Sequence, residues 1–186
     1  MSVLAGLLAL SAAGCGGKSM EEVVNGDSGS SSGSKSNIIY AEDGYAQGAI
    51  GDTLGTAWFN FTVNSASLED SYGGTVMPDE GEKLLVVNVT LNNTISDDLP
   101  MFDADFQAQW GAEGENDYRY PVTDGKPELQ TGDMLAEEYT LGAGDTITGD
   151  LVFSVPGGHE EYSLSFMEYF DNDESGDMFF VYFKLN

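Results

Sequence analysis

Basic residues are scarce in this 186-residue chain: six Lys and Arg stand against 32 Asp and Glu, giving a formal net charge of -26. That shortage argues against nucleic acid as a partner, because affinity for a polyanion comes from basic groups that displace counterions. The six that exist, Lys18, Lys35, Lys83, Arg119, Lys126 and Lys184, are scattered. The same field repels anionic lipid headgroups and acidic substrates and favours divalent cations or basic partners, within a screening length of about 8 Å. Solubility alone also accounts for acidic surfaces of this kind. Cysteine and histidine occur once each, as Cys15 and His159. An internal disulfide and a Cys/His zinc cluster are therefore both excluded. A Ser/His/Asp triad would have to recruit His159 from PGGHEEY, where an exposed turn histidine is the simpler reading.

Long hydrophobic runs are missing as well. The first fourteen residues, MSVLAGLLALSAAG, form an apolar run too short for a membrane-spanning helix, which needs about 20 residues. Ala12, Ala13 and Gly14 precede Cys15, and the arrangement resembles a bacterial lipoprotein signal, with Ala12 where that pattern usually has Leu and without the customary Lys/Arg start. The expectation is cleavage after residue 14, lipidation of Cys15 and anchoring of the mature chain to the membrane, on its outer face. Residues 15–44 include GGKSMEEVVNGDSGSSSGSKSN, rich in Gly and Ser and unable to form a core, and are read as a tether with a reach of roughly 30 Å. Gly29, Ser31 and Gly33 match the GxSxG pattern there, but no strand precedes and no helix follows, so the match is compositional.

From about residue 45 the pattern turns to period-two alternation. Phe59, Phe61 and Val63 alternate with Asn60, Thr62 and Asn64; Leu85, Val87, Val89 and Leu91 do the same, as do Leu151, Phe153 and Val155. Such alternation predicts strands with one buried face. Further strands are expected at residues 105–110, 117–122, 138–141, 162–170 and 178–185, separated by turns such as YGG, DGKP, GAGD and PGG. No helical period is sustained. Seven to eight antiparallel strands in residues 45–186 predict an all-β, immunoglobulin-like β-sandwich.

GDTLGTAWFNFTVNSA, EGEKLLVVNVTLNNTISDDLPMFDADFQAQWG and LVFSVPGGHEEYSLSFMEYFDNDESGDMFFVYF together resemble a family of bacterial surface lipoproteins, common in Firmicutes, with an immunoglobulin-like domain of unknown function. The resemblance covers roughly residues 45–186. It implies an extracellular lipoprotein and the sandwich fold, and brings no catalytic residues. Some members have borne a telomeric-repeat-binding-factor-like label, which the charge of this chain contradicts.

Three features carry candidate chemistry. DNDESGD places Asp171, Asp173, Ser175 and Asp177 in one short segment, and hard cations want several such oxygens. An EF-hand would need a Glu where Tyr182 stands, and helices on both sides. Even spacing of apolar residues before and after makes the segment the tip of a hairpin, where Asp, Asn, Ser and Gly serve the turn; a weak calcium site is the alternative. The acids Asp97, Asp98, Asp103, Asp105, Glu113, Glu115 and Asp117 form a second acidic region, with no basic residue between Lys83 and Arg119. Among 32 acids a carboxylate pair does not signal a glycosidase. Exposed aromatics are the third feature: Trp58 falls out of phase with its strand, Tyr118 and Tyr120 share a face, and Tyr40 and Tyr45 lie at the start of the domain. The three N-x-T sequons at Asn60, Asn88 and Asn92 reflect Asn and Thr on outward strand faces.

The reading is a non-catalytic extracytoplasmic lipoprotein, a binding or scaffold module of the cell envelope with a monomeric domain. No cofactor is expected beyond weak calcium, and the partner is an envelope protein, peptide or glycan. A cation-dependent binding module is the alternative, and a small hydrolase ranks third.

Overall fold

A computed structural model of the chain describes residues 38–110, 118–170 and 174–185. These hold twelve strands: β1 (Ile38–Tyr40), β2 (Tyr45–Ala49), β3 (Thr53–Gly55), β4 (Phe59–Glu69), β5 (Glu82–Asn93), β6 (Leu99–Phe102), β7 (Phe106–Trp110), β8 (Tyr118–Arg119), β9 (Glu138–Leu141), β10 (Thr146–Pro156), β11 (Glu161–Tyr169) and β12 (Ser175–Lys184). Short 3-10 turns occupy Asp103–Asp105 and Pro127–Leu129. One five-stranded sheet has the order β1-β3-β4-β5-β10, a second has β2-β12-β11-β7-β8, and β6 pairs with β9 in a separate ribbon.

The two sheets face each other across one apolar layer. Phe61 of the first sheet meets Phe106 and Phe179 of the second at ring-centroid distances of 5.6 and 6.3 Å, both edge-on. Phe59 meets Phe166 likewise at 4.9 Å. Alternation along β4, β5, β7 and β11 sends these residues inward, so the period-two pattern does specify the core. The fold is the expected all-β sandwich, with more strands than seven or eight. The additional ones are short. Ile38–Tyr40, inside the segment read as tether, pairs in parallel with β3, and β2 pairs in parallel with β12, so antiparallel pairing is not universal. Three to five residues carry too little alternation to stand out, and the β1 run Ile-Ile-Tyr sits next to a Gly/Ser-rich stretch.

The outward face of the first sheet is a lattice of hydroxyls and amides. Thr53, Thr62, Thr90 and Thr148 lie in one cross-strand row, with Thr53–Thr62 and Thr90–Thr148 hydroxyl contacts of 2.8 Å each. Asn88 and Asn92, two of the sequon residues, bond to Asp150 and Thr146 across the same face. At one end this face is covered: Val76, Leu84, Met134 and Val152 form a second small core. The β10 residues 151–155 are thus buried on both sides, where one buried face was expected.

Candidate functional site: an aromatic trough at one end of the sandwich

Trp58 lies in the bend just before β4, and its position is set by contacts from both sheets. The Thr56 hydroxyl accepts the N–H groups of Trp58 and Phe59 at 3.2 and 3.1 Å and donates to the Phe59 carbonyl at 2.8 Å. Thr94, beyond the end of β5, donates both its N–H and its hydroxyl to the Trp58 carbonyl. From the opposite sheet, the Glu168 carboxylate accepts the Ala57 N–H at 2.7 Å. A bend bonded on all sides holds its side chain in one place without relying on packing alone.

Glu168 continues the inward row Tyr162, Leu164, Phe166 of β11, and it is buried. A carboxylate in that row needs partners. It finds a second one in the Asp177 N–H, at 3.1 Å. The register between β11 and β12 shifts between Met167 and Tyr169, so that Tyr169 pairs with Ser175. Gly176 lies in this irregularity, and a Cβ there would come within 2.7 Å of the Glu168 carboxylate and 2.6 Å of the Phe170 ring. The glycine is required by that close approach.

Phe170 then lies against Trp58, ring centroids 5.2 Å apart and tilted 56°. The two rings line a hollow of about 420 Å³ whose other wall is β6, through Leu99, Met101 and Phe102. Pockets for small ligands usually fall between roughly 300 and 1,000 Å³ and are mostly apolar with a few placed polar groups. Phe102, Tyr169 and Phe170 are all more than 40% exposed, unusual for large apolar rings gathered in one place. A second hollow of about 180 Å³ adjoins it across Asp105, Phe166, Met167 and Tyr169. Its lining includes Gln107, Gln109, Tyr120 and Ser165. The trough is therefore apolar and aromatic at the Trp58 end and polar and hydrogen-bonding at the Tyr120 end, with Asp105 between them.

Among the described residues Asp105 is the one carboxylate in the lining of either hollow. One of its oxygens accepts the Phe102 N–H at 2.9 Å. Burial lifts its carboxyl above the usual aspartate range, and that single hydrogen bond holds it down only in part. Two residues away, Asp103 is fully buried. Burial pushes its carboxyl up to about 6, opposed by hydrogen bonds from the Thr123 hydroxyl and the Ala104 N–H. Among the described residues Asp103 Oδ1 and the Tyr139 hydroxyl have no hydrogen-bond partner. Burial and the nearby carboxylates of Asp105 and Asp103 push the Tyr139 hydroxyl up.

Of the aromatic residues singled out from sequence, Trp58 and Tyr120 thus line adjoining hollows, and Tyr118 packs edge-on against Tyr120 at 5.7 Å. Tyr45 lies elsewhere, its hydroxyl 2.9 Å from that of Tyr182. Of the acidic segment, Ser175 and Asp177 open β12, while Asp171 and Asp173 lie outside the described residues, as do Cys15, Glu113, Glu115 and Asp117. No group of three His, Cys, Asp or Glu side chains comes together as metal ligands among the described residues. His159 sits beside Trp110 and Tyr162, at ring-centroid distances of 6.5 and 6.4 Å. Sequence reasoning missed Phe102, Tyr169 and Phe170. Phe170 read as a strand residue at even spacing, and nothing in the sequence shows that the strand stops just before it.

Among known proteins, the profile of DUF4352, a domain of unknown function, matches residues 48–175. A search of curated proteins gives no match. Similar solved structures include a lipoprotein candidate, YcdA, from Bacillus subtilis, at 19% identity and a TM-score of 0.51, covering 71% of this chain. This chain spans only 38% of that protein's length. The secreted protein MPT63 of Mycobacterium tuberculosis matches at 13% identity and a TM-score of 0.51, over 77% of this chain and 99% of its own. A lipoprotein candidate from Staphylococcus aureus matches at 14% identity and a TM-score of 0.47, over 73% of this chain and 90% of its own. At these identities the first two likenesses concern the fold. No helix among the described residues is long and apolar enough to cross a membrane.

Proposed function

The chain belongs to the DUF4352 family, and from that premise we propose that it is a non-catalytic binding module, held outside the cytoplasmic membrane by a lipid on Cys15, whose trough takes an elongated, partly apolar ligand. The observation that carries the reading is the trough itself: a hollow of about 420 Å³ walled by Trp58, Phe102, Tyr169 and Phe170 and adjoining a second, polar hollow. Rings left exposed in this way lower the solubility of a free domain, and a ligand that covers them recovers roughly 25 cal/mol for each Å² of apolar area removed from water. A binding role is supported by the lining, whose described residues are mostly apolar and aromatic around the single carboxylate of Asp105. The anchor is supported by Ala12-Ala13-Gly14 before the single cysteine and by the Gly/Ser-rich stretch behind it.

Two measurements test the two halves. Nile red, a neutral apolar dye, should bind the purified domain and quench Trp58, and the Trp58→Ala, Phe170→Ala double variant should lose that binding while keeping its unfolding cooperative. A dye that binds both forms equally would place the apolar site elsewhere and overturn the trough reading. Full-length chain should partition with membranes; a Cys15→Ala variant that still does so would refute the anchor.

A further inference from the structure

We infer that the ligand class of the trough is an extended peptide segment in which an apolar or aromatic side chain is followed by a Lys or Arg, the first entering the Trp58–Phe170 hollow and the second meeting Asp105. This rests on the trough reading above and adds the chemistry of the occupant.

Asp105 sits where the two hollows adjoin, and the Phe102 N–H is its one hydrogen-bond partner among the described residues. The ion pairs among the described residues are Lys83–Asp70, Arg119–Glu82 and Lys184–Glu161, so none neutralises it. Asp103 adds a second negative charge two residues away, with Oδ1 unpartnered in a fully buried position. Asp105 is half-buried, with one hydrogen bond and no ion pair among the described residues, and such a carboxylate favours a cation brought by the ligand. The net charge of -26 works in the same direction at longer range, enriching cations near the surface and excluding anionic ligands.

Leu99, Met101 and Phe166 wall the Trp58 end. A sugar ring entered there would leave its hydroxyls facing hydrocarbon without partners, at a cost that an apolar side chain does not incur. Gln107 and Gln109, on the outward face of β7, line the second hollow with amides that can both donate and accept. Peptide groups of an extended chain present the same two functions at about 3.3 Å per residue, so one segment can engage the Gln side chains, Asp105 and the aromatic hollow in sequence.

The test uses three synthetic peptides, acetyl-Gly-Phe-Gly-Xaa-Gly-amide with Xaa as Lys, Gln or Glu, and chitotriose as a cationic glycan, titrated calorimetrically into the full domain at low and at 0.5 M salt. The inference predicts that the Lys peptide binds at least about tenfold more tightly than the Gln peptide at low salt, with Glu weakest, and that 0.5 M salt narrows the gap. In Asp105→Asn, whose amide oxygen can still accept the Phe102 N–H, the Lys preference should fall below about threefold while the Gln peptide binds as before. Equal binding of Lys and Gln peptides, lost in Trp58→Ala, would overturn the cation preference and leave the trough reading standing. Binding of chitotriose ahead of every peptide would overturn the peptide assignment. No binding of any peptide, with Nile red still bound, would refute this inference alone, and failure of Nile red as well would take the trough reading with it.

Discussion

The Glu168 carboxylate accepts the backbone N–H of Ala57 at 2.7 Å, joining a strand of one sheet to the bend that opens β4 of the other, 111 positions away. Its other oxygen takes the Asp177 N–H, so one buried side chain ties the bend that presents Trp58 to the hairpin that presents Phe170. The tilted ring pair at the head of the trough is therefore a consequence of a polar contact behind it. Hydrogen bonds to a charged acceptor are the stronger kind, and this acceptor is 4% exposed.

Glu168→Ala should leave both N–H groups without their acceptor and destabilise the domain by about 2 to 3 kcal/mol, since an unpaired donor costs on the order of 1 to 3 kcal/mol and these two remain partly reachable by water. Glu168→Gln keeps one acceptor but turns an amide donor toward the second N–H, and should cost about 1 to 2 kcal/mol. Denaturant unfolding measures both. An alanine variant as stable as the parent would show that the carboxylate does not hold the two segments together.

Gly176→Ala probes the same junction from the other strand. The new Cβ would stand 2.7 Å from both the Cβ and a carboxylate oxygen of Glu168 and 2.6 Å from the Phe170 ring, closer than such contacts are tolerated. Overpacking of this kind costs typically about 1 to 3 kcal/mol. Because Phe170 is the more exposed neighbour, it should yield first, so Nile red affinity should drop along with the unfolding midpoint. Loss of stability with dye binding unchanged would mean that the strain is taken up without moving the ring.

Stability should also depend on pH through Asp103. Burial raises its carboxyl to about 6 in the folded chain from an ordinary 3.8, with Asp124 and Glu137 adding to the effect. The folded state thus holds the proton more tightly than the unfolded one. The domain suffers no penalty from this group below about pH 4, loses stability as pH climbs toward 6, and carries the full cost above it. A separation of roughly two pH units at about 1.4 kcal/mol each gives a cost near 3 kcal/mol. Asp103→Asn should remove it, raising the unfolding midpoint at pH 7.5 and flattening the profile between pH 4 and 6. Parallel profiles for variant and parent would rule out burial of this carboxylate as the cause.

The long strands were legible because they carry enough residues for period two to register: the inward row Phe59, Phe61, Val63 and the row Leu85, Val87, Val89, Leu91 land in the core. Tyr118 and Tyr120 were read as neighbours, and they are. Other features depend on pairings between distant segments. Glu168 read as one acid among 32, and its burial follows from the bend at residues 56–58 and the register shift opposite Gly176. The β6 wall of the trough was hidden inside a stretch whose Asp residues drew attention, although Leu99, Met101 and Phe102 form the surface that a ligand would meet. The glycine of DNDESGD looked like a turn residue, and its role is to make room for a carboxylate and a ring.

Two phenylalanines separate stability from binding. Phe61 is buried among Phe59, Phe106, Phe166 and Phe179, and Phe61→Ala should cost about 3 to 5 kcal/mol by leaving a cavity between the sheets. Phe170 is 41% exposed and among the described residues makes one ring contact, with Trp58, worth about 0.5 to 1.5 kcal/mol beyond its area. With its partial area burial included, Phe170→Ala should therefore lower the unfolding free energy by roughly 1.5 to 3 kcal/mol while abolishing most Nile red affinity, because half of the aromatic head of the trough is gone. Phe61→Ala should show the reverse: a large loss of stability, with dye affinity per folded molecule retained at temperatures well below its midpoint. If instead the two variants lose stability and binding in proportion, the exposed rings are part of the fold's own support, and the trough is not a separable site.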